Sequence, residues 1–232
     1  FIKKGFYYAC CRSCGHIYVK NPLKETAIIH LYQYSNTDNV YIDVQENEIV
    51  SSYQNEQARK YIKLLEMIGV KDGNLLDIGC GCGNFLKCCK EQSSFNLYGI
   101  EINKKINAKL KDLLGEENIY CDTIENIDFG IMRFNVVTLW SVLEHLTNPV
   151  SVLYHAGKYL EDDGYIIACI PNVFSRAFKI LGLETPTLNP RSHLQMYTKN
   201  SFKKLCERAG LEIIDRFYEL PVIDLMYDFI EY

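Results

Sequence analysis

Apolar residues return at roughly helical spacing at Ile49, Tyr53, Tyr61, Leu64, Leu65 and Ile68, and Gly69 follows as a stop, which predicts a helix over residues 47–68. Beyond Gly69 the pattern changes to short apolar runs alternating with segments of helical period. These predict a strand at Leu75 to Ile78, a helix at Asn84 to Gln92, a strand at Leu97 to Ile100, a helix at Lys104 to Leu114 and a strand at Ile119 to Cys121. The alternation continues with an apolar run from Asn135 to Trp140, a helix from Val150 to Leu160 after Asn148-Pro149, and a turn at Asp162-Asp163-Gly164. Tyr165 to Ile170 then reads as a buried strand stopped by Pro171. Residues 172–198 lack periodicity and contain Pro186 and Pro190, so they are expected to form a mobile, lid-like insertion above the sheet. Lys199 to Ala209 with Gly210 predicts a helix and its stop, Leu211 to Tyr218 a strand, and the tail to Tyr232 an antiparallel edge strand. Strands alternating with helices imply an α/β fold, a doubly wound, mostly parallel sheet of about seven strands.

The connection after the first strand of this repeat carries the chemistry. Leu-Leu-Asp-Ile-Gly-Cys-Gly-Cys-Gly-Asn-Phe-Leu, residues 75–86, is a strand ending in an acid, three glycines at every second position, and the start of a helix. Without Cβ atoms, Gly79, Gly81 and Gly83 let the main chain turn sharply and approach a ligand. That ligand meets a helix N-terminus, where N–H groups and the positive end of the dipole favour a carboxylate or phosphate. A dinucleotide fingerprint has its third glycine one residue later and no preceding Asp, and no Lys-Ser or Lys-Thr follows for a phosphate-gripping P-loop. A glycine loop alone also fits a plain tight turn, but here Asp77 stands before it and Glu101 ends the next strand.

The pattern Asp-x-Gly-x-Gly-x-Gly, with an acid closing the next strand, resembles the class I S-adenosylmethionine-dependent methyltransferases, a Rossmann-like family, over residues 45–220. The resemblance implies that Asp77, Gly79, Cys80, Gly81 and Gly83 wrap the methionine part of S-adenosylmethionine. It implies that Glu101 accepts hydrogen bonds from the ribose hydroxyls, that Asp122 binds the adenine amino group, and that Ile102 and Thr123 flank the adenine. Asp122 and Thr123 also suit a turn or helix cap. Trp140 and Ser141, in Leu-Trp-Ser-Val-Leu-Glu-His-Leu, would border the sulfonium, with Trp140 equally placed to be a core aromatic. The product would be S-adenosylhomocysteine.

Methyl transfer is an in-line displacement that depends on placement, worth about 7 to 11 kcal/mol in general. Where the acceptor must lose a proton, a histidine tuned near neutrality is the usual base, and His145 and His193 are the candidates. Asn172, Arg191 and Tyr197 are candidate substrate contacts, Arg191 through pairing with a phosphate or carboxylate. Their plain alternatives are a turn residue, a solvated charge and a packing aromatic, and for His145 an imidazole held by backbone groups. The expected acceptor is a small molecule, with a sugar, sugar nucleotide or glycan precursor suggested by resemblance, which would place the enzyme in polysaccharide biosynthesis; quinone precursors stay open.

Residues 1–22 stand apart as a Cys-rich β segment, ahead of a helical region at 23–69 and the main domain at 70–232. Cys11-Arg-Ser-Cys14-Gly15 has zinc-knuckle spacing and offers two of the four ligands a zinc ion needs, so Cys11 and Cys14 are either half of such a site or free thiols. The other cysteines are scattered through apolar segments as buried thiols are, pointing to a reducing, cytoplasmic setting. Phe1 in place of an initiator methionine fits a trimmed chain with residues upstream, and neither a secretory signal nor a membrane-spanning run is visible. Net charge of −4 without basic runs argues against a phosphate-backbone footprint, hence against nucleic acid as partner. The rival readings are an RNA methyltransferase with a zinc ribbon and a non-catalytic cofactor-binding scaffold. Subunit number is not written in the sequence.

Overall fold

The computed structural model describes residues 1–34, 48–173, 175–185 and 187–218. In chain order its elements are β1 (Ile2–Lys3), β2 (Phe6–Cys10), β3 (Ile17–Val19), α1 (Glu25–Tyr34), α2 (Glu48–Met67), β4 (Asp72–Ile78), α3 (Asn84–Gln92), β5 (Ser94–Ile100), α4 (Lys104–Leu114), β6 (Ile119–Tyr120), β7 (Phe134–Trp140), α5 (Pro149–Lys158), β8 (Leu160–Cys169), α6 (Arg176–Leu181), β9 (Gln195–Met196) and α7 (Lys199–Arg208). They divide into two compact units. The larger holds residues 24–140 and 155–168, and the smaller holds 1–23, 141–154 and 169–232.

The larger unit is built on a five-stranded sheet in the order β6-β5-β4-β7-β8. β4 runs parallel to β5 on one side and to β7 on the other, and β5 runs parallel to β6. The chain therefore reverses its direction of travel across the sheet at β4, the switch point where open α/β sheets bind ligands outside the carboxyl ends of their strands. Leu75 and Leu76 at the centre of β4 are fully buried, as are Val136 and Val137 opposite them on β7. Leu86, Cys89, Ile106 and Leu110 pack on Leu75 and Val136 from the helices, as the helical period requires. Helix α2 ends as its sequence predicts. Gly69, at φ +85, donates to Glu66 O and Val70 N donates to Leu65 O, the pair of bonds that closes a helix through a left-handed glycine.

The smaller unit is an antiparallel sheet in the order β1-β2-β3-β9, together with α6 and α7. Its ladder pairs Tyr8 with Val19, both buried, and Ile17 with Met196. Here the structure corrects the expectation of an isolated N-terminal segment and a free lid. Residues 195–196 lie inside the expected lid, yet they form the edge strand of the N-terminal sheet. Thr198 caps α7 reciprocally with Ser201, and its hydroxyl also donates to Cys14 O at 2.7 Å. Two residues on a two-strand ladder leave no periodicity to read.

Three further differences follow from local physics. Asp162-Asp163-Gly164 is not a separate turn but part of β8, where a Cβ on Gly164 would stand 2.9 Å from Phe134 O, so close backbone approach explains the glycine. Leu211–Tyr218 forms no strand, and the expected edge strand to Tyr232 falls from residue 219 on outside the described residues. Among the described residues the main sheet thus has five strands, not seven.

Candidate active site

Asp77 is held in register between Gly99 of β5 and Thr138 of β7 and is 1% exposed. Thr138 Oγ1 donates to its Oδ1 at 2.7 Å. Burial pushes the carboxyl up to about 8; the Thr138 hydrogen bond opposes this and the Glu101 charge adds to it. The chain then passes through Gly79, Gly81 and Gly83 at φ +69, +54 and +76, a run that L side chains resist. Gly79 N and Cys80 N both donate to Ile100 O, at 2.8 and 3.1 Å, anchoring the start of the loop to the end of β5. Gly83 is also sterically fixed, since a Cβ there would lie 2.4 Å from Leu110 Cδ2.

Glu101 closes the other side. Its Oε2 accepts from Gly81 N at 2.9 Å and its Oε1 from Asn103 N at 2.8 Å, so one carboxylate ties the glycine loop to the cap of α4. Asn103 in turn caps α4 by accepting from Lys105 N and Ile106 N. Burial raises the Glu101 carboxyl, and the backbone donors at Asn103 and Gly81 counteract it. Asp122 is exposed, with Oδ1 accepting from Thr123 N at 2.7 Å and Asn126 Nδ2 at 2.8 Å. Ile102 and Thr123 are half-buried.

At the carboxyl end of β7, Trp140 stacks on Tyr61 with ring centroids 3.7 Å apart and planes 2° from parallel, and meets Phe85 edge-on at 5.1 Å. Its Nε1 is buried without a hydrogen-bond partner. Sequence reasoning did not single out Tyr61, Thr138 or Asn103. The first sits on a helix read only for its apolar period, and the other two act through contacts between elements distant in sequence.

In the smaller unit, Ser141 takes a left-handed φ of +54 and its N–H donates to Cys169 O. A non-glycine residue in that region stores strain, a feature that collects at functional sites. Glu144 is 1% exposed and its Oε2 has no partner. Next to it, His145 Nδ1 meets Ser192 O at 2.9 Å, and His193 Nδ1 meets Thr187 O at 2.8 Å. The two rings pack edge to face at 4.7 Å. Burial and the neighbouring His193 pull His145 down to about 4, and burial lowers His193. The structure thus brings the two candidate bases together but leaves each weakly basic, and Glu144, adjacent in sequence to His145, joins them. The Glu-His pair in the sequence was the available signal.

Tyr197 is buried, and its hydroxyl donates to Leu143 O at 3.1 Å, which makes it a packing residue. Asn172 and Arg191 are exposed. Asn172 bridges to Tyr197 through its backbone. Cys11 and Cys14 lie in the turn between β2 and β3, where the Ser13 hydroxyl and local backbone donors lower the Cys11 thiol to about 6. Among the described residues no third ligand joins them, so a zinc site at Cys11 and Cys14 has no support in the structure.

A family profile described as a methyltransferase domain matches residues 50–216. The tRNA U34 carboxymethyltransferase of Sulfurimonas denitrificans is 26% identical over 185 residues, covering 70% of this chain and 57% of that protein's length. The ubiquinone biosynthesis O-methyltransferase of Coxiella burnetii is 22% identical over 166 residues, covering 67% of this chain and 70% of that one. Among solved structures, an S-adenosylmethionine-dependent methyltransferase from Clostridium acetobutylicum superposes with a TM-score of 0.58 at 12% identity, over 78% of this chain and 90% of the other. The magnesium protoporphyrin IX methyltransferase of Synechocystis with bound SAH gives 0.59 at 14% identity, over 80% and 89%. At these identities the structural likeness speaks for the fold.

Proposed function

This chain belongs to the methyltransferase-domain family, and from that premise we propose that it uses S-adenosylmethionine to methylate an oxygen or carbon of a small molecule, with the glycine loop of the larger unit holding the methyl donor. The observation that carries this reading is the hydrogen bond from Gly81 N to Glu101 Oε2, which locks three left-handed glycines between the buried Asp77 and the half-buried Glu101 at the sheet's switch point. The donor set suits the cofactor. Burial raises both Asp77 and Glu101, and the cofactor's ammonium, sulfonium and ribose hydroxyls would bring positive charge and further hydrogen-bond donors to them. A carboxylate has acceptor capacity beyond its bonds to the local backbone N–H groups, so Glu101 can still take a ribose hydroxyl. Asp122 uses only Oδ1, leaving Oδ2 for an amino group. Trp140 Nε1 is a buried donor in want of an acceptor.

When bound, the cofactor supplies an electrophilic methyl group. The residues around it position and shield; with His145 held near 4, proton removal by that imidazole is weak at neutral pH, and the proposal does not depend on it. An oxygen acceptor is favoured by the relative named for ubiquinone biosynthesis, and a net charge of −4 opposes a long phosphate backbone. A sugar acceptor has no counterpart among the relatives described above. In the smaller unit, Arg191 is the residue suited to an acidic group on the acceptor.

Calorimetric titration with S-adenosylmethionine and S-adenosylhomocysteine tests the cofactor site, and failure of both to bind removes the reading. Release of S-adenosylhomocysteine in the presence of a catechol, a sugar nucleotide or transfer RNA then ranks the acceptors. A catechol is expected to lead, and turnover on transfer RNA alone would replace the small-molecule assignment.

A further inference from the structure

Glu144, His145 and His193, all within the smaller unit, form a cluster to which the cofactor reading above gives no role. Glu144 sits on the single turn Leu143–His145. That turn is clamped to the segment carrying His193, because Leu194 N donates to Glu144 O at 2.7 Å and the Tyr197 hydroxyl to Leu143 O. Both imidazoles turn Nδ1 to a backbone carbonyl, Ser192 O for His145 and Thr187 O for His193. A carbonyl only accepts, so the neutral His193 ring carries its proton on Nδ1 and presents Nε2 as the lone-pair nitrogen, while the His145 ring also meets the backbone of Ser141. His145 Nε2 lies 3.9 Å from Glu144 Oε1, and one ligand atom from each of the three residues falls within 4.8 Å of the others.

Backbone carbonyls fixing the tautomer and orientation of histidines are the usual support of metal-ligating rings. The cluster also has an unmet need. Glu144 is buried and one of its carboxylate oxygens has no partner. A bound cation would answer that need without protonating any of the three. We propose that Glu144, His145 and His193 form a binding site for a first-row divalent cation of the manganese-to-zinc series. Two nitrogen ligands and one carboxylate oxygen disfavour magnesium and calcium, which take oxygen ligands almost throughout. Three protein ligands leave coordination positions open for water or an exchangeable oxygen donor. Metal–ligand bonds of about 2.0 to 2.2 Å call for modest side-chain closure from the present spacing.

The test is made on the full chain carrying C11S and C14S, which removes the exposed thiol turn as a competitor. Stripped with chelator and dialysed against Co²⁺, it is expected to retain one equivalent, with an absorption spectrum free of thiolate charge transfer. E144Q, which keeps the shape of the side chain, and H193N are each expected to weaken binding at least tenfold while leaving circular dichroism unchanged. X-ray absorption at the cobalt edge, which needs no variant, is expected to show nitrogen and oxygen neighbours only. Absence of stoichiometric binding, sulfur in the coordination shell, or unchanged affinity in E144Q would each overturn the site. Cofactor titration of the same samples keeps the outcome separate from the methyltransferase reading, because the cation site does not rest on it.

Discussion

The glycine loop of the larger unit and the Glu144 cluster of the smaller one each withdraw a glutamate from water, half in one case and wholly in the other, but they satisfy it differently. Glu101 has a backbone N–H on each oxygen, from Gly81 and Asn103, whereas Glu144 leaves Oε2 with none. A carboxylate answered by backbone is part of the scaffold as well as of the site. One left unanswered points to something the protein alone does not supply. The loop is also contiguous in sequence, while the cluster joins His145 to the Ser192–His193 segment 47 residues on. The first is therefore written as a motif and the second only as a fold.

The comparison breaks most severely at Gly83. A valine there must adopt a left-handed φ and overlap Leu110, so strain and overpacking together are expected to cost about 2 to 5 kcal/mol and abolish cofactor binding. Denaturant unfolding with a parallel calorimetric titration measures both. If G83V binds cofactor normally, backbone geometry is not what makes the loop.

Next in size is Glu101. The sequence alone suggests that E101A costs affinity with little effect on folding, but the bonds to Gly81 and Asn103 change that expectation. E101A is expected to weaken cofactor binding more than tenfold and to destabilise the cofactor-free protein by about 1 to 3 kcal/mol. E101Q, which retains an acceptor oxygen, should lose less of both. Affinity lost with stability intact would make Glu101 a ligand contact only.

Helices α3 and α4 match the sequence reading to the residue, because glycines and an Asn cap bound them locally. β4, β5 and β7 are found to within a few residues because each carries a short apolar run that alternates along the chain with helical segments. Helix α1 falls inside the helical region expected at 23–69 without bounds of its own in the sequence, and β9 falls inside an aperiodic insertion, since a two-residue strand is defined by its partner β3 rather than by its own pattern. The acids and glycines of the loop were legible for the same reason as α3. Thr138 under Asp77, Tyr61 on Trp140 and His193 beside the Glu144-His145 pair were not, because each matters only through a neighbour brought by the fold.

A smaller effect separates the regions by pH. The Asp77 carboxyl is raised from an unfolded value near 3.8 to about 8, so the folded state holds a proton that the unfolded state releases across that window. Stability of the cofactor-free protein is then full below pH 4 as far as Asp77 is concerned and is lost as pH rises towards 8, by no more than about 1.4 kcal/mol per unit. Glu101, which faces Asp77 and is also raised, acts in the same direction. D77N should flatten the decline when melting temperature is followed from pH 5 to 8. An unchanged slope would move the buried proton elsewhere.

The smallest effect is expected at Trp140, whose Nε1 is an unanswered polar atom of the larger unit, as Glu144 Oε2 is of the smaller. Replacing Trp140 with Phe removes the orphaned Nε1–H, whose burial costs about 1 to 3 kcal/mol, but gives up part of the stack on Tyr61, worth about 0.5 to 1.5 kcal/mol. The two nearly cancel, so W140F should change the stability of the cofactor-free protein by no more than about 1 kcal/mol. Its effect should appear instead when cofactor is added, as a severalfold loss of affinity if the indole N–H finds its acceptor there. Equal affinity in W140F and the parent would mean that the indole serves packing alone, and the likeness between the two orphaned atoms would then stop at burial.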